Sequence, residues 1–235
     1  MIDINCDLAE GGIYDERLMP LISSCNIACG GHFGNAATVE TAVELALKHQ
    51  VKIGAHPSYP DQESFGRKII DIELPELRKS LKSQILLVKE ITERLGGRLH
   101  HIKPHGALYN ELKHHEKKSK MLIELVQEID EKLVLFVPPK SVVKDLAETK
   151  LKTAIEGFAD RAYEPDFSLV PRSAKGAVLH DKNSILKRVK MMVNEGEIIS
   201  IKGKVLYQKF DTVCVHSDTQ NSLEILEYLK LKLNS

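Results

Sequence analysis

His100-His101-Ile102-Lys103-Pro104-His105-Gly106-Ala107-Leu108-Tyr109-Asn110 is the stretch around which the rest of the chain can be read. It opens on Arg98-Leu99, alternates polar with apolar residues, and breaks at Gly106. Residues two apart in a strand share a face, so His101, Lys103 and His105 point one way. Leu99 and Ile102 follow that alternation less consistently. Three ionisable groups on one strand face are costly to bury unless they have partners or chemistry to perform. A solvated edge strand would account for one such stretch. It does not account for the recurrence of the pattern along the chain.

Short β-rich runs alternate with longer helical patterns from end to end. Strands are predicted at 2–8, 24–29, 52–55, 99–103, 134–137, 153–158 and 211–215, and 198–201 with 205–207 reads as a hairpin around Gly203. Helices are predicted at 16–23, 36–49, 75–95, 119–131, 141–148, 184–194 and 219–233, with Pro75 in a first turn, His180-Asp181 at a helix start and Thr219 as an N-cap. An irregular loop is predicted over 160–175. Alternating strands and helices indicate βαβ units and a parallel sheet, either closed or doubly wound. Polar residues of one parity gather at successive strand ends: Asp3, Asn5 and Asp7; Asn26 and His32; Gly54 and His56; Lys103 and His105; Glu156 and Asp160; His216 and Asp218. An open sheet has one crevice at its switch point, whereas a barrel brings every strand end to one mouth. Six polar ends favour the barrel, and with no linker or composition shift the 235 residues read as one domain.

Lys plus Arg and Asp plus Glu each number 33, so the net charge is zero, which argues against a nucleic-acid or membrane-surface binder. The basic run from Lys113 to Lys120 reads as the solvated start of a helix. Cys6, Cys25, Cys29 and Cys214 lie in apolar runs without a CxxC pair, so buried free thiols are expected. With neither a basic leader nor an apolar run of about 20 residues, the protein is expected to be soluble and cytoplasmic.

The motifs sit at the predicted strand ends. Asp7-Leu8-Ala9-Glu10-Gly11 carries two carboxylates, and Asn26–Gly30 runs into glycines before His32. Gly54-Ala55-His56-Pro57, with Phe65-Gly66-Arg67, forms a long proline-stiffened loop, a type that is often functional. Glu156–Pro165 and Leu169–Ser173 contribute Arg161 and Arg172, suited to binding a carboxylate or phosphate. His32, His56, His105 and His216, with Asp7 and Glu10, are candidate ligands for a divalent metal, Asp7, His32, His56 and His105 foremost, although no tight HExxH-type spacing joins them. General acid–base chemistry is the other use of such histidines. The chain lacks a GxxxxGK[ST] phosphate loop, GxSxG and GxGxxG.

Across almost its whole length the chain resembles the LamB/YcsF family, to which A subunits of bacterial ATP-dependent 5-oxoprolinases belong. Eight blocks in order carry the resemblance: Asp7-Leu8-x-Glu10-Gly11; Asn26–Gly30 with His32; Gly54–Pro57 with Tyr59-Pro60-Asp61; Phe65-Gly66-Arg67; Lys103–Asn110; Phe158–Asp166; Leu169–Ser173; and Cys214-Val215-His216. The resemblance implies a distorted, roughly seven-stranded TIM-like β/α barrel of the glycoside hydrolase/deacetylase type. It also implies ATP-dependent opening of 5-oxo-L-proline to L-glutamate together with B and C subunits, with ATP as co-substrate. Asp7, Glu10, His56, Lys103 and His105 are then expected to be catalytic. His32, Tyr109, Glu156, Asp160, Arg161, Arg172 and His216 are expected to bind substrate. Two other readings stay open: a stand-alone metal-dependent amide or carbohydrate hydrolase or deacetylase, and a non-catalytic subunit that binds a small acid. The chain departs from the usual family pattern at Ala9, Ser58 and Ser217, each in place of Gly, at Gly31 in place of Phe or a similar residue, and at Asn35 in place of Asp. Ala9 and Ser58 are expected to narrow the mouth, and Asn35 to remove a charge.

Overall fold

A computed structural model of the chain describes residues 2–233. Seven parallel strands close into a barrel: β1 (Asp3–Leu8), β2 (Ser24–Ala28), β3 (Lys52–His56), β4 (Leu99–Ile102), β5 (Val134–Val137), β6 (Lys152–Phe158) and β9 (Thr212–Cys214). β9 pairs with both β6 and β1, which closes the ring. The antiparallel hairpin of β7 (Glu197–Ile199) and β8 (Val205–Tyr207) stands outside it. Helices α1 (Asp15–Leu18), α2 (Ala36–His49), α3 (Leu74–Arg94), α4 (Gly106–Glu111), α5 (Glu116–Ile129), α6 (Val142–Ala147), α7 (Lys182–Lys190) and α8 (Ser222–Leu233) follow in chain order.

The helices form where spacing and caps dictate. In α3, Pro75 occupies the first turn, and Leu77, Leu81, Ile85, Val88 and Ile91 form the buried stripe. Each of these side chains stabilises the fold by about 1.5–3 kcal/mol through burial. Asn35 and Thr38 close a capping box on α2, Ser141 caps α6, and Asp181 caps α7 as its position suggests. The apolar core lies between this helical layer and the outward strand faces, where Leu8, Ile27, Ile53, Ile102 and Val213 are fully buried or nearly so.

Local departures from the predicted elements have physical causes. The chain does not simply break at Gly106, because the six residues after His105 form α4. Helix α5 begins at Glu116, three residues early, since the His115 side chain accepts from the Lys118 amide. Helix α8 starts at Ser222, not Thr219, whose hydroxyl is bound to Asp160. Helix α7 passes into a π-helical turn over Met191–Glu195. The basic run is solvated only in part: His114, Lys117 and Lys120 are exposed, but Lys113 and Lys118 are not. Lys118 is only 9% exposed and reaches Glu111 Oε2 at 2.9 Å and the Tyr59 hydroxyl at 2.7 Å, while Lys113 donates to Ser168 Oγ and to the Asp166 carbonyl. The signal was present, because Lys118 shares the i, i+3, i+4, i+7 stripe of Met121, Leu122 and Leu125. All four cysteines are buried and free. Burial pushes the thiols of Cys25 and Cys29 up to about 12, which leaves them unreactive near neutral pH.

Partners across a parallel ladder share a face, so the register defines the barrel interior. Asp7 lies beside Asn26, Asn26 beside Gly54, and Gly54 beside His101; on the far side Glu156 pairs with Thr212 and Asn5 with Cys214. The irregular parity of Leu99 also resolves here. Leu99 opposes Ile53, but His101 opposes the very next residue, Gly54, so a β-bulge at His100 turns Leu99 outward and His101 inward. The His101 ring then crosses directly over Gly54: a Cβ at that position would lie 2.1 Å from His101 Nε2. Gly54→Ala should therefore cost about 1–3 kcal/mol of stability by overpacking. Denaturant unfolding checks this; a loss within measurement error would contradict the packing.

Candidate active site

The barrel floor is a connected polar network. Asn26 Nδ2 donates to Asn5 Oδ1 at 2.8 Å and Asp7 Oδ1 at 2.7 Å, and its Oδ1 accepts from His101 Nε2 at 2.8 Å. Asn5 Nδ2 donates to Glu156 Oε1 and Thr212 Oγ1 at 3.0 and 2.8 Å. Above this layer the Lys103 ammonium, 2% exposed, spans the barrel to Asp7 Oδ1 at 2.7 Å, Glu156 Oε1 at 3.0 Å and Cys214 Sγ at 3.2 Å. Burial disfavours its charge, yet Asp7, Cys214 and Glu156 hold its pKa well above the ordinary lysine value. Burial likewise pushes Asp7 upward, but His56 and Lys103 hold its carboxyl well below the usual range. Burial, with His100 and Lys103 adding like charge, keeps His101 far below its usual pKa and so neutral.

Four side chains converge at the C-terminal mouth. Glu10 Oε1 lies 2.8 Å from His32 Nε2, 3.3 Å from His105 Nδ1 and 3.7 Å from His56 Nε2. The His32 and His105 rings stack with centroids 3.7 Å apart. Two backbone carbonyls orient the other rings: His56 Nδ1 donates to Lys103 O at 2.6 Å, and His105 Nε2 donates to Phe65 O at 2.9 Å. The last contact needs an unusual backbone. Phe65 and Gly66 both sit at positive φ, +55° and +62°, and Gly66 O accepts from the Ala107 amide. Gly106 completes the fit, since a Cβ there would lie 2.5 Å from Gly66 O. Burial depresses His32 to about 4 and lowers His105, whereas Asp7 overrides burial at His56 and raises it. Burial opposes the Glu10 charge, but the neighbouring His105 and His32 imidazoles hold its carboxyl well below the ordinary range.

A cavity of about 900 Å³ opens onto these groups. Asp7, Glu10, His56, Lys103 and His105 all line it, as do Tyr109, Arg161, Arg172 and His216. His32, Glu156 and Asp160 do not: they lie buried behind Glu10, Lys103 and His216 respectively. Asp160 accepts from His216 Nδ1 at 3.0 Å and from the Thr219 hydroxyl, which leaves His216 Nε2 for other partners. Among the described residues, the buried Tyr109 hydroxyl and Glu156 Oε2 have no hydrogen-bond partner. Arg161 Nη2 donates to Val170 O at 2.7 Å, and burial beside Arg172 pulls its pKa down to about 10. Arg172 reaches Asp218 at 3.2 Å and Arg67 reaches the same carboxylate at 2.6 Å. Arg67, Asp218, Asn5 and Asn26 stood among the strand-end and motif residues, but sequence reasoning gave them no site role; strand parity pointed to three of the four.

A model of the LamB/YcsF family matches residues 2–235. The chain belongs to the LamB/YcsF family. It is 41% identical to the A subunit of 5-oxoprolinase from Haemophilus influenzae (strain PittEE), over 95% of this chain and 91% of that protein. It is also 41% identical to the corresponding 5-oxoprolinase A subunit from Pyrococcus horikoshii, over 97% and 92% of the two chains. The crystal structure of the lactam utilization protein from Thermus thermophilus superposes with a TM-score of 0.91 at 32% identity, covering 99% of this chain and 96% of that one.

The departures from the usual LamB/YcsF pattern do not crowd the mouth as expected. Ser58 is fully buried and, like Ala9, is not part of the cavity wall. Gly31 is packed tightly: a Cβ there would lie 2.4 Å from both Ser58 Oγ and Gln84 Oε1. Ala9 holds a φ of +59°, which glycine adopts more readily, and its amide donates to Asp15 Oδ2 just before Glu10. Asn35 caps α2 with an uncharged side chain.

The depressed pKa of His101 makes folding acid-sensitive. The unfolded chain takes up a proton below about pH 6.5 and the folded chain does not, so this contribution is complete above 6.5 and falls as pH drops. Between pH 6.5 and 5, His101→Gln should lower the slope of unfolding free energy against pH by up to about 1.4 kcal/mol per unit. Urea unfolding at stepped pH reads it; equal slopes would contradict it.

Proposed function

We propose that this chain is the A subunit of a 5-oxoprolinase, opening the ring of 5-oxo-L-proline to L-glutamate in an ATP-dependent reaction shared with B and C subunits. The names of its relatives support the reading. The observation that carries it is the convergence of Asp7, Glu10, His56, Lys103 and His105, from three separate strand ends, on one cavity. The chain acts as one LamB/YcsF-type domain. No GxxxxGK[ST] loop occurs in it, so nucleotide handling is assigned to the partners. No described helix is long and apolar enough to cross a membrane, which suits work in the cytoplasm.

A lactam carbonyl is a weak electrophile, and phosphate transferred from ATP to its oxygen activates the carbon. Water adds there, and the ring C–N bond breaks with the nitrogen leaving as the amine. A second water releases phosphate from the resulting acyl phosphate to give glutamate. Asp7, Glu10, His56 and His105 orient the first water and accept its proton. The imidazoles are the bases nearest neutrality, and the two ionised carboxylates favour the imidazolium that results. Lys103 presents a fixed positive charge to the oxygen on which negative charge develops. Arg161 and Arg172 hold the substrate carboxylate or the phosphate from the opposite wall. Tyr109 and His216 complete the substrate contacts. His32, Glu156 and Asp160 act through Glu10, Lys103 and His216 and are positioning residues.

Co-expressed with B and C subunits, the chain should release glutamate from 5-oxo-L-proline only when ATP is present. Asp7→Asn and Lys103→Met should each lower kcat by about 100-fold or more while retaining the wild-type circular dichroism spectrum. Turnover within a few-fold of wild type in either folded variant would contradict the assignment. Release without ATP or partners would favour a stand-alone hydrolase.

A further inference from the structure

The two ring nitrogens that face each other at the mouth pose a problem that hydrogen bonding between neutral rings does not solve. A carbonyl only accepts, so His56 Nδ1 and His105 Nε2 must both carry hydrogen to donate to Lys103 O and Phe65 O. In the neutral rings His56 Nε2 and His105 Nδ1 are therefore bare lone pairs, and they lie 3.0 Å apart. The Glu10 carboxylate adds a third electron-rich atom, 3.3 Å from one nitrogen and 3.7 Å from the other. Something positive must sit among the three.

We propose that His56 Nε2, His105 Nδ1 and Glu10 Oε1 bind one divalent first-row transition-metal ion at the barrel mouth. Bonds of about 2.0–2.1 Å place neighbouring ligand atoms about 3.0–3.4 Å apart, within the range of these separations. Two imidazoles and one carboxylate suit zinc, manganese, iron or cobalt better than calcium or magnesium, which prefer oxygen alone. The surroundings are those of a metal site. Each ligating ring donates its other N–H to a backbone carbonyl, and Glu10 accepts from His32 Nε2 at 2.8 Å. Three protein ligands leave positions open toward the cavity that all three line. Asp7 Oδ2, 3.5 Å from His56 Nε2, stands beside those positions and is the base left free to take a proton when the two imidazoles and Glu10 serve as ligands. The strained Phe65 conformation, at φ +55°, is what aims its carbonyl at His105.

Ring orientation carries this proposal, which does not depend on which amide the barrel opens, so its test reads binding, not turnover. The full-length chain, stripped with a chelator, is titrated with Zn²⁺ by calorimetry and with Co²⁺ by visible absorption. One ion per chain is expected at micromolar affinity or tighter. His56→Gln and His105→Gln should each weaken binding at least about 10-fold, with exposed His180→Gln as the unchanged control. Should a variant fail to fold, ¹⁵N spectra of the wild-type histidines give the same answer: Zn²⁺ must shift His56 Nε2 and His105 Nδ1 and leave their partner nitrogens protonated. A chain that binds neither ion at millimolar concentration overturns the proposal. So does binding that survives both folded variants, or a lone proton shared by the two nitrogens in the presence of excess Zn²⁺.

Discussion

An ammonium group buried in the middle of a β-barrel is the constraint from which the rest of this structure follows. Lys103 enters from the end of β4 and meets oxygens of Asp7 on β1 and Glu156 on β6, so a single side chain ties opposite walls of the barrel together. Removing one partner of such a pair leaves an uncompensated buried charge, a cost of about 3–5 kcal/mol. The pair as a whole is a weak source of stability relative to an apolar filling. Its presence therefore says more about chemistry than about folding. A lone lysine would lose its proton on burial, and the carboxylates would take theirs up. Together they keep one another ionised, and the interior holds fixed charge where a substrate can meet it.

Around this charge the fold concentrates its irregularities. The β-bulge at His100 turns His101 inward, and Gly54 leaves room for the ring, so that Asn26 can accept from it and donate to Asp7. The left-handed backbone at Phe65 and Gly66 brings a carbonyl to His105, and the one at Ala9 precedes Glu10. Strain and register shifts in this chain thus border the residues that face the cavity, as expected where local geometry is over-determined by a working site. The neutral His101 beneath and the charged Lys103 above it divide the interior into a structural floor and a reactive layer.

Much of this was legible in the residues alone. Alternating strands and helices specified a parallel sheet, and polar residues at six strand ends selected the closed barrel over the open one, because only a barrel gathers them. The same parity picked out the residues that line the mouth. What it could not carry were features set by contacts distant in sequence. Helix α4 depends on Gly66 packing against Gly106, the bulge depends on how β3 and β4 pair, and the start of α8 depends on Thr219 choosing Asp160 over its own helix. Lys118 was missed for a different reason. Its place on an apolar stripe was readable, but a run of lysines and histidines looks solvated until Tyr59 and Glu111 are seen to enclose its ammonium.

Lys103 remains an ammonium because carboxylates on the facing strands β1 and β6 require it to, and the role given to it toward substrate rests on that charge. Lysine selectively labelled with ¹⁵N at Nζ, followed by NMR as the pH is raised, measures this directly. The Lys103 signal should keep its ammonium shift after the surface lysines have titrated near their usual value of about 10.4. A Lys103 signal that loses its proton with them or earlier would contradict the account.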